Sequence, residues 1–190
     1  MNINFVTGNR HKVDEAKIAL KGSNVHIQIL EADKREPDEW KLEEVATKNA
    51  KRIADETGKV VMIEDTGIYF EAFDDFPGSK PKRYFDSLGY AGLLAKFKFG
   101  QEDEVKSKKA HFKTVIGLCE PGEEPILFTG ELQGTITNEI KGMDADVLPY
   151  ERIFVCEDGR YLFEYPREEK NLISHRGKAF RKLKEFLDSK

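Results

Sequence analysis

The sequence predicts an α/β fold, and three observations carry that prediction. Strand-like and helix-like patterns alternate through residues 2–63. Residues 60–63 form a short, uninterrupted apolar run rich in β-branched side chains, as expected for a strand covered on both faces. The chain closes on an amphipathic helix whose inward set is Ala179, Phe180, Leu183, Phe186 and Leu187.

Each element has its own signal. Ile3 and Phe5 alternate with polar neighbours before Thr7, Gly8 and Asn9, which reads as a strand ending in a tight loop. From His11 to Leu20 the positions Val13, Ala16, Ala19 and Leu20 hold helical spacing, and Gly22 closes the segment. Residues 25–30 read as a second strand. Pro37 and Asp38 are expected to open a long helix with Trp40, Leu42, Val45, Ala46, Ala50, Ile53 and Ala54 along its buried stripe and Gly58 as its stop. The strand at 60–63 is expected to end abruptly at Glu64 and Asp65. Farther on, Phe76-Pro77-Gly78 marks a turn and residues 91–97 a helix. Residues 110–119 and 126–129 read as strands around a loop, with 132–137 continuing the sheet. Two more strands, 153–156 and 161–165, are expected around Asp158-Gly159.

Composition bounds the function. At 190 residues a chain buries roughly 70% of the surface it would expose unfolded, so no staple is needed. The two cysteines, Cys119 and Cys156, make no disulfide framework and lack zinc-site spacing, which suits a reduced, cytoplasmic compartment. A formal charge of −4 argues against a nucleic-acid partner. No apolar stretch approaches the ~18 residues of a membrane span, and the first residues do not resemble a signal peptide. Neither a membrane nor secretion is expected.

Chemistry concentrates at three places. Thr7-Gly8-Asn9-Arg10-His11-Lys12 joins a strand to a helix, where free backbone amides can receive an anion. Cations at a helix start oppose the macrodipole by ~0.3–1 kcal/mol each unless something negative sits there. The same conflict recurs at the last helix, where Ser174 is a good N-cap but His175, Arg176 and Lys178 crowd the positive end, with Lys170 upstream. Solvated basic turns satisfy either pattern alone; a polyanion held between the two ends satisfies both. The third place is Glu64-Asp65. Two adjacent carboxylates after a buried strand can hold Mg²⁺ or polarise a water, or simply end an acidic turn. Glu36 fits either a metal ligand or a helix-start acid.

These residues resemble the inosine/xanthosine triphosphate pyrophosphatase family. The likeness rests on Thr7-Gly8-Asn9, Lys12 and Glu15, on Glu64-Asp65-Thr66-Gly67, on Phe76-Pro77-Gly78, and on the run from Glu169 through Ser174-His175-Arg176-Gly177-Lys178-Ala179. The motifs keep the family order across almost the whole chain. The resemblance implies a single two-lobed domain over residues 1–190, with a long mixed β-sheet flanked by helices and two lobes around a central cleft. It implies a homodimer that hydrolyses ITP, dITP and XTP to the monophosphate and pyrophosphate with Mg²⁺. Thr7, Gly8, Asn9 and Lys12 would bind the triphosphate, with Lys48, Lys82, Lys170 and Arg176. Glu36, Glu64 and Asp65 would serve the metal, and Asp65 would also be the proton acceptor. His175 would contact the purine.

The sequence departs from the family most in one stretch, and Gly78-Ser79 also lacks the usual tyrosine-containing continuation. Where the family carries a Gly-Phe-Gly-aromatic-Asp-Pro element lining the base pocket, residues 147–154 read Val-Leu-Pro-Tyr-Glu-Arg-Ile-Phe. Tyr150 keeps an aromatic face for stacking a base and Glu151 keeps an acid where Asp is usual, so both would bind substrate, but the glycines and the following proline are gone. A nucleotide-binding protein without hydrolysis, or the same chemistry on another modified nucleotide, would also accommodate that change.

Overall fold

The computed structural model describes residues 1–74 and 76–190. It contains a seven-stranded sheet ordered β2-β1-β3-β5-β6-β7, with β4 paired to β3, flanked by helices. The chain divides into two compact units. The first comprises Met1–Thr66, Lys113–Glu131 and Asn171–Lys190, and the second Gly67–Phe112 and Leu132–Lys170. Strands β3, β5 and β6 each begin in one unit and end in the other.

The first unit opens with β1 (Asn2–Phe5), α1 (Arg10–Ala19) and β2 (His26–Ile29), as the sequence predicts. β1 lies parallel to both β2 and β3 (Val61–Phe70), pairing Asn4 with Val61 and Phe5 with Met62. α5 (His175–Asp188) packs with α1 over one face of the sheet. Ile3, Phe5, Val13, Ala16, Met62, Ile116, Leu118, Phe180 and Leu183 share one buried cluster there. α2 (Leu42–Thr57) takes the other face. A Cβ on Gly117 of β5 (Lys109–Cys119) would sit 2.9 Å from the Ala46 carbonyl oxygen of α2, while its neighbours Ile116 and Leu118 belong to the α1–α5 cluster.

Four expectations about elements need correction. α2 begins at Leu42, because Pro37–Trp40 closes a turn (Trp40 N–H to the Pro37 carbonyl, 3.1 Å) and the Glu44 carboxylate takes the Lys41 N–H. β3 does not stop at Glu64. It runs ten residues through both acids to Phe70, held by partners on both sides that the local sequence does not reveal. The middle helix, α3, spans Pro81–Ala95 with a kink at Gly89 (φ 57°). Residues 161–165 are not a strand: Leu162–Glu164 form a 3-10 turn, and the Glu164 carboxylate accepts the Tyr161 N–H at 2.7 Å.

The second unit also contains β4 (Pro77–Gly78), β7 (Phe154–Cys156) and most of α4 (Arg167–Ile173). β6 (Ile126–Ile136) supplies its sheet partner for β7 through Gly134–Ile136. Its interior is aromatic: Phe70, Phe73, Phe97, Phe85 and Tyr150 form a chain of ring contacts with centroids 4.9–6.3 Å apart.

Candidate functional site

Both helix starts singled out in the sequence are built as expected in the first unit. The Thr7 hydroxyl accepts the Asn9 N–H at 3.1 Å, and the Asn9 side chain caps α1 by accepting the His11 N–H at 3.0 Å. Ser174 caps α5 through the Gly177 N–H at 3.0 Å. Neither first turn contains an acid. α5 is seated with its first turn hard against β6: a Cβ on Gly130 would fall 2.1 Å from the His175 carbonyl oxygen, a contact only glycine allows.

The two basic segments meet on one acid. Glu64 is fully buried, and its carboxylate receives Arg176 Nε at 3.1 Å and the Thr66 hydroxyl at 2.6 Å on Oε1, with the Lys12 ammonium on Oε2. Arg176 also donates to Glu15 of α1 at 2.7 Å. Thr66 shares a 2.6 Å hydroxyl contact with Thr114. Residues 62, 64 and 66 alternate onto the face that carries α1 and α5, which is why these partners are available. Burial pushes the Glu64 pKa up, but the Lys12 and Arg176 charges and the Lys12 and Thr66 hydrogen bonds outweigh it and leave the pKa well below the carboxylate range. The Arg176 pKa is raised, because Glu64 and Glu15 outweigh its desolvation.

Asp65 alternates to the other face, the side of α2. There it meets a segment from which the sequence reading singled out only Glu36. Asn49, on the buried stripe of α2, accepts the Arg35 N–H at 2.8 Å and returns its own N–H to the Arg35 carbonyl at 2.7 Å. That two-way grip mimics a strand pairing and fixes the flanking side chains Lys34 and Glu36. The Lys34 ammonium lies 2.6 Å from Glu36 Oε1 and 3.4 Å from Asp65 Oδ1. Asp65 Oδ2 is buried without a hydrogen-bond partner. Burial raises the Asp65 pKa, Glu36 and Glu64 add to the rise, and Lys34 and Lys12 oppose it without cancelling it. A buried, polar Asn among Val45, Ala46, Ala50 and Ile53 was the available signal for this arrangement. Lys34 was hidden inside the charged run Asp33-Lys34-Arg35-Glu36.

The remaining candidates are placed as follows. Thr7, Gly8, Asn9, Lys12, Glu36, Lys48, Glu64, Asp65, His175 and Arg176 belong to the first unit; Lys82, Tyr150, Glu151 and Lys170 belong to the second. Lys48 pairs with Glu44 at 2.9 Å and lies over the Trp40 ring. Lys82 is solvent-exposed beside Asp86. Tyr150 is buried against Phe70 and Phe85, and its hydroxyl donates to the Pro81 carbonyl at 3.0 Å. Lys170 and the buried Glu151 form an ion pair at 2.9 Å.

The donor set suits a hard divalent cation. Glu36 and Asp65 present carboxylate oxygens across one small space already held by an ammonium, and one Asp65 oxygen is buried and unmatched. As the side chains stand, no three Asp, Glu, His or Cys groups among the described residues form a ready metal cluster. Glu64, on the opposite face, is tied to Lys12 and Arg176.

Comparison with known proteins places this geometry in context. Residues 3–186 match the model of the Ham1 family. The chain is 37% identical to a protein of Methanopyrus kandleri named dITP/XTP pyrophosphatase, over 98% of this chain and 96% of that one. It is 34% identical to an inosine triphosphate pyrophosphatase of Aspergillus fumigatus, over 99% and 95%. Among solved structures, a HAM1 protein from Coxiella burnetii shares the fold with a TM-score of 0.84 over the full length of both chains, at 24% identity. A nucleoside-triphosphatase / dITP/XTP pyrophosphatase from Mycobacterium abscessus superposes with a TM-score of 0.73 at 25% identity, over 96% and 98%.

Proposed function

The chain belongs to the Ham1 family, and from that premise we propose that it is a hydrolase of non-canonical purine nucleoside triphosphates. ITP, dITP and XTP are cleaved to the monophosphate and pyrophosphate. The observation that carries the reading is Asp65: a buried carboxylate with a raised pKa and one unmatched oxygen, set beside Lys34 and Glu36.

The chemistry follows from the residues. A water held by Asp65 attacks the α-phosphorus, its proton passes to the Asp65 carboxylate, and the bond from the α-phosphorus to the bridging oxygen breaks to release pyrophosphate. A carboxylate pKa raised toward the working pH makes a better proton acceptor than an ordinary aspartate. The amides and cations at the starts of α1 and α5 receive the triphosphate, and Lys12 exchanges the Glu64 carboxylate for a phosphate oxygen. Glu64 then acts by positioning Lys12 and Arg176, so the metal set drawn from the resemblance narrows to Glu36 and Asp65. Mg²⁺ bound there would supply charge neutralisation to the phosphates.

Selectivity follows from hydrogen-bond donors directed at a 6-oxo group, such as His175. A 6-amino purine would leave such a donor unpaired at a cost of ~1–3 kcal/mol. A homodimer, which rests on the resemblance, and a cytoplasmic setting, which rests on the cysteine usage, complete the reading.

The test is pyrophosphate release from a panel of ITP, XTP, ATP and GTP with Mg²⁺. Preference for ITP and XTP is expected; equal rates for ATP would overturn the selectivity, and no release from any nucleotide would overturn the activity.

A further inference from the structure

Lys34 stands where the reading above puts the metal. Its ammonium lies between Glu36 Oε1 and Asp65 Oδ1, mostly shielded from solvent. The backbone on either side of it is anchored: Arg52 donates to the Asp33 carbonyl at 2.5 Å and Asn49 grips Arg35 from both directions. Lys34 is therefore held in place by its own loop and is not a surface lysine that happens to lie near two acids. A single positive charge there offsets two carboxylates, the buried Asp65 and the part-exposed Glu36, that would otherwise repel each other.

Resting on the proposed metal site, we infer that Lys34 is a built-in counter-ion that occupies the divalent cation's seat in the nucleotide-free protein. Lys34 yields that seat when the metal arrives with a triphosphate, whose oxygens give the displaced ammonium a new anionic partner. The consequence is ordered binding: the metal alone competes with a tethered ammonium and binds weakly, while the metal carried by a nucleotide brings the compensating anion with it. Divalent cations free in solution then do not load the site ahead of substrate. Lys34 is a positioning residue in this scheme, since it tunes the seat and is given no proton or bond to handle.

The experiment is a Mn²⁺ titration of the nucleotide-free full chain, followed by calorimetry or by the loss of the free Mn²⁺ electron-spin signal. Lys34→Gln removes the charge and keeps an uncharged polar side chain. It is expected to tighten Mn²⁺ binding at least about tenfold over the wild type, since a unit charge a few ångströms from a dication acts strongly in a screened interior. In metal-free buffer the same variant is expected to melt below the wild type, and added Mn²⁺ to restore it. Lys34→Arg, which keeps the charge, is expected to bind Mn²⁺ as weakly as the wild type. Unchanged affinity in Lys34→Gln, or tightening of equal size in Lys34→Arg, overturns the inference. If the inference falls while Glu36→Gln still abolishes Mg²⁺-dependent pyrophosphate release, the metal site itself stands. If the wild type releases pyrophosphate equally well in chelator, the metal site and the inference fall together.

Discussion

Glu64 and Asp65 are chain neighbours with opposite electrostatics, and substitutions at the two should separate cleanly. Glu64→Gln takes the shared carboxylate from the part-buried Lys12 and leaves the buried Arg176 with Glu15 alone. Breaking such a pair costs ~3–5 kcal/mol, to be read as a lower urea midpoint. Asp65→Asn is expected to lower pyrophosphate release by ~10²–10⁴-fold without loss of stability. The sign follows from linkage. The Glu64 pKa lies below its ordinary 4.5, so its contribution is present above that pH and is lost as acid titrates toward the folded value. The Asp65 pKa lies above its ordinary 3.8, so its contribution favours folding below that pH and is lost as pH rises through the folded value. At neutral pH, Asp65→Asn should therefore melt at or above the wild-type temperature, and a clear fall would contradict the burial argument. The acid types were legible in the sequence. Their division between two faces was not, because it depends on a strand that the local residues read as ending at the acids.

At the scale of elements, α1, α5, the Ser174 cap and the Gly58 stop of α2 were legible because caps and helical spacing are local properties: Ser174, Gly58 and the stripe Ala179-Phe180-Leu183 act within a few residues of chain. β3 beyond Ile63 and the turn at Leu162–Glu164 depend on partners far along the sequence, and there the local reading failed. Two elements invite tests. Asn49→Ala deletes both halves of the grip on Arg35, leaving the buried end of that loop with unmet backbone groups at ~1–3 kcal/mol. With Lys34 and Glu36 no longer held, catalytic activity should fall by more than the stability loss explains; a variant that loses stability alone would show that the loop needs no anchor. Gly130→Ala pushes a methyl group into the backbone of α5 at His175. Overpacking of this kind costs ~1–3 kcal/mol or more, and the melting temperature should fall accordingly.

The whole molecule carries a net charge of −4, yet Arg10, Lys12, Arg176 and Lys178 stand at the starts of two helices that contain no acid in their first turns. Inorganic pyrophosphate, the proposed leaving group, should therefore stabilise the protein despite the like overall charge. At a hundredfold excess over its dissociation constant the gain is about 2.7 kcal/mol, read as a rise in melting temperature that shrinks with added salt. A melting temperature indifferent to pyrophosphate would remove the anion seat. The two basic helix starts were legible because each lies in a contiguous motif. The packing of Tyr150 was not: its ring lies against Phe70 and Phe85, residues 65–80 positions upstream.

Because side chains on an extended chain switch sides at every residue, β3 also fixes which acid does what. Deleting a single residue between Val61 and Ile63 would turn Asp65 toward Arg176 and Glu64 toward Lys34, handing each carboxylate the other's surroundings. The order of those two letters, Glu before Asp, is thus tied to the count of residues that separates them from the parallel pairing at Phe5 and Met62, and neither can drift along the chain without the other's duties changing hands.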